Sequence, residues 1–373
     1  MKYGRILVII LALILATSFA PGITISGAVP DSSTSTLGCT LEIPLDKNQV
    51  SNVLVAGQTW ERGRINIQNL GSEPLHNITV LIEVPQDLGT TIPSQPYLIT
   101  KEGQEGQEGQ DITAKVGDLS PGQSAGLLLD VKPPASIEFK KEVTFRIHNV
   151  YLEGGKQNEQ SVSQSISIIP PPSWLTYLTI VASLLLFIII LFAVKRFGVL
   201  ELFSTVDLIT IALLAAVIAV VFRYISKLIN LGWFDGLVIA IPTVVLMVVA
   251  LQLVRKPGTA TLLFTCVLLI SMVIWGSQIM WLGFYLAEGV VVDLLVLLFR
   301  MDYADRRLTA AIYGISRGVV STLVFYMLYA PVEWKISYAP WYIGVQLVLA
   351  CTGGLIGGIL GYDTAVKMSG ARL

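Results

Sequence analysis

The chain has 373 residues, a mean hydropathy of +0.69 and only 14% charged residues. Soluble domains carry about 25%, so the composition argues against a water-soluble globular protein. The net charge of −1 averages two unlike halves: residues 29–173 hold seventeen acids and ten bases, whereas residues 174–373 hold nine acids and thirteen bases. Neither half presents an extended basic surface, which argues against nucleic acid as a partner.

The rare residues narrow the chemistry. His76 and His148 are the two histidines, and both precede the apolar half. A Ser–His dyad, an H-E-x-x-H zinc site or histidine-ligated haem within a membrane is therefore excluded. No phosphate-binding loop of the form G-x-x-x-x-G-K-[ST] occurs, so the chain has no Walker-type ATPase site of its own. Cys39 is the one cysteine of the polar half, which leaves that half without an internal disulfide. Cys266 and Cys351 sit in apolar runs and read as small buried hydrophobes. No cofactor or metal is expected, and the chain does not read as an enzyme.

Lys2 and Arg5 precede the apolar run Ile6–Ala16, and Ser26-Gly27-Ala28 supplies small residues for cleavage. Residues 1–28 thus read as a signal peptide or signal anchor that exports the adjoining polar domain. From residue 37 to 169 the pattern is β. Gly63–Asn69 alternates polar and apolar, Leu70–Pro74 supplies a turn, and Ile78–Val84 is the next strand. Further strands are predicted at Asp111–Val116, Gly126–Val131, Val143–Leu152 and Val162–Ile168. The spacing predicts a β-sandwich of about seven strands. Asn69-Leu70-Gly71, Pro85, Leu119-Ser120-Pro121-Gly122 and Pro133-Pro134 resemble immunoglobulin-like repeats of microbial cell-surface proteins. The resemblance implies an adhesive or spacer module. Glu102-Gly103-Gln104, repeated through Gln110, reads as a solvated loop, and residues 170–173 as a Pro-rich linker.

A membrane span needs about 20 apolar residues. Residues 174–194 form one anchor helix, and six more runs come after it: 203–222, 234–254, 259–275, 283–299, 308–329 and 342–362. With the sandwich outside, the inner segments carry Lys195, Arg196, Arg255, Lys256, Arg300, Arg306, Arg307, Lys367 and Arg372, against Arg223, Lys227 and Lys335 outside. The positive-inside rule supports that orientation, with a cytoplasmic C-terminus. The fold class expected is an exported all-β sandwich followed by an all-α polytopic bundle, with the lipid bilayer as its solvent.

Three charges fall inside predicted spans: Glu288, Asp293 and Arg317. Each is costly in hydrocarbon, so each needs a partner or a wet cavity. At a rise of about 1.5 Å per residue, Arg317 can reach either carboxylate of the preceding antiparallel helix. One reading is a buried ion pair that fixes helix register. The other pairs Asp293 with Arg317 and leaves Glu288 to hold a polar or cationic ligand, with Trp233, Asp235, Trp275, Trp281, Tyr285, Trp334 and Trp341 at the outward ends around it and Trp275 and Tyr285 closest. Small residues are dense as well. Ala212, Ala215, Ala216 and Ala219 make two overlapping Ala-x-x-x-Ala pairs, and Gly314, Gly318, Gly353, Gly357 and Gly361 recur every fourth residue.

Three segments carry a second resemblance: Asp207–Ala216, Arg255-Lys256-Pro257-Gly258, and Tyr285-Leu286-Ala287-Glu288 leading to Phe299-Arg300. Together, over residues 203–373, they resemble the S components of energy-coupling-factor (ECF) vitamin transporters, of the thiamine-precursor (hydroxymethylpyrimidine) type. The resemblance implies a membrane subunit that captures a vitamin-like small molecule. It also implies a transmembrane coupling protein and ABC ATPases as partners. It assigns Glu288 to the substrate and the alanine face to docking of the coupling protein. The exported sandwich and the additional anchor depart from the usual plan of that family. The competing reading is a cell-surface interaction protein whose sandwich binds an envelope partner and whose helices only anchor it.

Overall fold

Alternation of apolar and polar residues builds the first part of the molecule. The computed structural model describes residues 36–88, 90–93, 111–222, 234–275 and 281–370. The leader, the Glu102–Gln110 repeat, Arg223, Lys227 and Trp233 lie outside the described residues. Nine strands are described: β1 (Leu37–Glu42), β2 (Val53–Val55), β3 (Glu61–Asn69), β4 (Leu75–Glu83), β5 (Thr90–Pro93), β6 (Ile112–Leu119), β7 (Ser124–Lys132), β8 (Lys141–Glu153) and β9 (Lys156–Ile169). They form a four-stranded sheet, β1-β3-β7-β5, and a five-stranded sheet, β2-β9-β8-β4-β6. Every pairing is antiparallel except β2 with β9.

The inward residues of both sheets meet in one core. Ile65 and Ile67 of β3 and Leu129 and Val131 of β7 join Val80 and Ile82 of β4, Phe145 and Ile147 of β8, and Ile166 and Ile168 of β9. Their period of two is what the pleat requires for one buried face. Cys39 lies in mid-strand opposite Ile67, and burial pushes its thiol up to about 11, which keeps it an inert thiol at neutral pH. The nine strands exceed the seven or so expected: β1, β2 and β5 fall outside the runs named from sequence, and β2 and β5 span only three and four residues, too few to register as alternation.

Two loop motifs prove to be one structure. The buried Asn69 side chain donates to the carbonyls of Glu73 (2.8 Å) and Leu119 (3.0 Å) and accepts from the Gly71 amide (2.9 Å). Its backbone carbonyl accepts from the Gly122 amide at 2.9 Å. Asn69 therefore ties the Leu70–Pro74 turn to the Leu119–Gly122 turn and satisfies buried polar groups that would otherwise be costly. Residues 331–339 belong to the same unit as the strands. Ser337 accepts from the Val50 amide (3.1 Å), and the Ala339 amide donates to Asn48 (2.8 Å).

The second unit is helical: α1 (Ser173–Phe197), α2 (Thr205–Val217), α3 (Asp235–Val254), α4 (Thr259–Trp275), α5 (Leu282–Phe299), α6 (Arg307–Val324) and α7 (Pro340–Gly370). α2 continues in π-helical form to Phe222, and α6 leads into a π-helical segment, Phe325–Trp334. Five helical segments are long and apolar enough to cross a membrane, and the α2 and α4 segments are shorter apolar helices. α1 leaves most of its side chains exposed, as expected of a lipid-facing anchor.

Helix α7 organises the bundle through two glycine stripes. A Cβ on Gly353, Gly357 or Gly361 would press on α3, at Leu237 O (3.0 Å), Ile241 O (2.7 Å) and Val245 O (3.0 Å). Gly354 and Gly358 face α6 instead, against Gly314 and Ala310. Gly318 of α6 in turn would meet the Ala350 carbonyl of α7 at 2.6 Å. Backbone-to-backbone approach replaces the apolar driving force that helices lack in lipid. Gly357→Leu should therefore destabilise the bundle by about 1–3 kcal/mol or more through overpacking. Val348→Leu on the exposed face of α7 should be neutral. Thermal unfolding in detergent checks this; equal midpoints for the two variants would contradict the packing role.

Candidate functional site

The buried stripe of α5 reads Gly283, Leu286, Glu288, Gly289, Val292, Asp293, Val296, so both carboxylates point into the bundle. The buried stripe of α6 contains Tyr313, Gly314, Arg317 and Gly318. Glu288 is 1% exposed, Asp293 5% and Arg317 8%. Three ionic side chains are thus held in an interior that is otherwise mainly apolar, with a few buried threonines, Ser271 and Gln346.

Arg317 Nη2 donates to Glu288 Oε1 at 2.8 Å. The guanidinium carbon also lies 5.7 Å from the ring centroid of Phe264 on α4, within cation–π range. The pair is neutral as a unit, which limits its desolvation cost. Glu288 Oε2 and Arg317 Nε are both buried and have no hydrogen-bond partner among the described residues. Buried polar atoms in native proteins are normally satisfied, so one free acceptor and one free donor beside a fixed ion pair single out this pair as the candidate site.

Asp293 has a different task from the one expected. Arg317 pairs with Glu288, and Asp293 instead receives the N-terminus of α4. Its Oδ2 accepts from Thr261 N (2.7 Å) and Thr261 Oγ1 (2.6 Å), and its Oδ1 accepts from Ala260 N (3.4 Å). The first amides of a helix lack intrahelical partners and carry the positive end of the dipole, so a carboxylate supplied by the neighbouring helix satisfies both. Gly289, one turn earlier, permits this approach: a Cβ there would lie 2.5 Å from Thr261 Cα and 2.8 Å from Ala260 O.

Aromatic side chains cluster near the start of α5. Trp281 stacks on Tyr329 (5.2 Å between centroids) and Phe325 (6.2 Å), and Phe284 meets Tyr329 edge-on at 5.7 Å. The Tyr329 hydroxyl accepts from the Phe284 amide (2.9 Å) and lies 3.3 Å from the Ser183 hydroxyl of α1. Tyr285 joins this cluster edge-on to Phe284 at 5.4 Å. Phe284, Phe325 and Tyr329 were not singled out from sequence, although Phe325 and Tyr329 stand four residues apart in an apolar run, the one signal that marks them. Among the other sequence-predicted residues, Asp235 opens α3 and Trp275 closes α4.

The four alanines from 212 to 219 differ in burial. Ala215 and Ala219 are buried in the bundle, Ala212 is exposed and Ala216 half-buried.

No family model and no curated protein matches the sequence. Some solved structures are similar to parts of the chain. The crystal structure of an S component of an ECF transporter is 18% identical over 46% of this chain and 88% of its own, with a TM-score of 0.38. A cohesin module from a Clostridium perfringens family 33 glycoside hydrolase is 14% identical over 37% of this chain and 99% of its own, TM-score 0.25. The major fimbrial subunit AggA of Escherichia coli is 11% identical over 37% and 97%, TM-score 0.24.

Removing either member of the Glu288–Arg317 pair strands a buried charge, and Glu288→Met or Arg317→Met should each cost about 3–5 kcal/mol. The double variant should recover most of that loss in thermal unfolding. A double variant no more stable than the worse single one would show that the two do not act as a pair. Asp293→Ala should cost about 0.5–2 kcal/mol, the range for a lost helix cap, read by the same measurement.

Proposed function

We propose that this chain is the solute-capture subunit, an S component, of an ECF-type importer, with a vitamin-like small molecule of the thiamine or pyrimidine-precursor type as its ligand. The observation that carries the reading is the buried Glu288–Arg317 pair, with one acceptor and one donor left free inside an apolar bundle. A helix bundle that serves only as an anchor gains nothing from retaining such a pair, because ionic residues are expensive there. The motifs Asp207–Ala216, Arg255–Gly258 and Tyr285–Glu288 support the same assignment through their resemblance to that family.

In this reading the chain crosses the membrane seven times, the immunoglobulin-like domain is outside and the C-terminus is cytoplasmic. Glu288 and Arg317 hold the ligand while the aromatic cluster of Trp281, Phe284, Tyr285 and Tyr329 closes one side. Binding, not catalysis, is the task, and the ABC ATPases that drive import act through a separate coupling protein. That protein docks on the α2 surface presenting Ala212, with Ala216 behind it. Ala215 and Ala219 hold α2 to the bundle.

Two measurements test the proposal. Small molecules released by denaturing the purified protein, identified by mass spectrometry, should include a heterocyclic vitamin or precursor that Glu288→Gln no longer retains. Ala212→Trp should abolish uptake in cells while leaving that ligand bound. Unchanged uptake would remove the docking assignment, and no retained heterocycle would remove the capture assignment.

A further inference from the structure

The strand unit contains a surface cleft of about 720 Å³, lined by Leu45, Asp46, Gln49, Trp60, Glu61, Arg62 and Asp130. Its size falls in the range of small-ligand sites, roughly 300–1,000 Å³. The transport reading uses none of these residues.

The cleft combines one aromatic face with several fixed polar groups. Trp60 is 46% exposed, unusual for the largest apolar side chain. Glu61 is held from behind: Gln49 donates to its Oε2 at 3.2 Å, and Gln58 donates to its Oε1. Both glutamines are buried, and Gln58 is fixed in turn by the Val55 amide, which donates to its Oε1 at 3.2 Å. An ionised carboxylate offers about four lone-pair sites, so two amides leave Glu61 able to accept further hydrogen bonds. Arg62 donates to Asp130 at 3.1 Å, a pair that presents donors and acceptors together. Asp46 adds an exposed carboxylate.

We infer that this cleft is a saccharide-binding site, with the pyranose ring stacked on Trp60 and its hydroxyls bound by Glu61, Asp46, Arg62 and Asp130. Sugars present an apolar C–H face and, around it, hydroxyls that both donate and accept. An amphipathic aromatic ring beside planar polar groups matches both aspects. Three carboxylates against one guanidinium select against acidic sugars. A basic peptide fits less well. Arg62 neutralises Asp130. β3, which carries Glu61 and Arg62, is an interior strand between β1 and β7, so no backbone edge is open for a peptide to extend.

The test uses the full chain in nanodiscs, titrated calorimetrically with cellotriose, chitotriose, glucosamine trimer, trigalacturonate and trilysine. A neutral or amino trisaccharide should bind, and Trp60→Ala should weaken it at least tenfold. Trp60→Phe, which keeps a ring, should stay within about threefold. Asp46→Ala, at an exposed position, supplies a second variant and should weaken the same sugar severalfold. In the wild type the sugar should also protect tryptophan fluorescence from iodide, an effect absent from Trp60→Phe. Absence of binding by every saccharide, undiminished binding by both Trp60→Ala and Asp46→Ala, or preference for trigalacturonate or trilysine would each overturn the inference. None of these outcomes depends on the transport reading.

Discussion

Helices in hydrocarbon gain nothing from burying apolar surface against one another, so the bundle depends on how closely their backbones can approach. Helix α7 supplies that closeness twice, with Gly353, Gly357 and Gly361 toward α3 and Gly354 and Gly358 toward α6. Residues four apart stay on one face, and shifting the register by one residue turns the stripe toward a different neighbour. The position of Arg317 is a consequence, because Gly318 beside it sits against the Ala350 carbonyl and fixes the height of α6. An ion pair made at 2.8 Å requires such a fixed register. The glycines are thus the framework on which the charged site is held.

The same membrane constraint explains why two carboxylates only five residues apart on α5 do different work. Asp293 reaches the amides that open α4, where a helix end without partners would be costly. Glu288 lies about 7 Å further along the helix, level with Arg317 and clear of any helix end. Each carboxylate takes the partner its depth offers. The outcome is one structural carboxylate and one neutral pair that keeps unused hydrogen-bonding capacity.

In the strand unit the corresponding anchor is Asn69. Its side chain and backbone bind two turns separated by about fifty residues, and those contacts tie the β3–β4 reversal to the β6–β7 reversal. The amides of Gln49 and Gln58 do something similar for Glu61, holding a partly buried carboxylate at the surface beside an exposed tryptophan.

Much of this was legible in the residues. Alternation at Gly63–Asn69 and Ile78–Val84 marked β3 and β4, and the uncharged apolar runs marked the helical segments, because burial on one face and immersion in lipid both write themselves into local pattern. Short length hid β2 and β5, and the six-residue β1 was not marked as a strand either. The three intramembrane charges were visible because their cost makes them rare. Their pairing was not. Sequence separation and helix rise allowed Arg317 to reach either carboxylate, and the choice rested on where α4 begins and how near Gly289 lets it come. Which of the alanines from 212 to 219 are buried likewise required knowing where that segment meets the bundle. By itself the sequence determined the elements, the division into a strand unit and a helical unit, and the identity of the charged residues, since these are local consequences of composition and period. Only the tertiary structure decided which groups meet, because contacts between distant segments depend on backbone approach within a few tenths of an ångström.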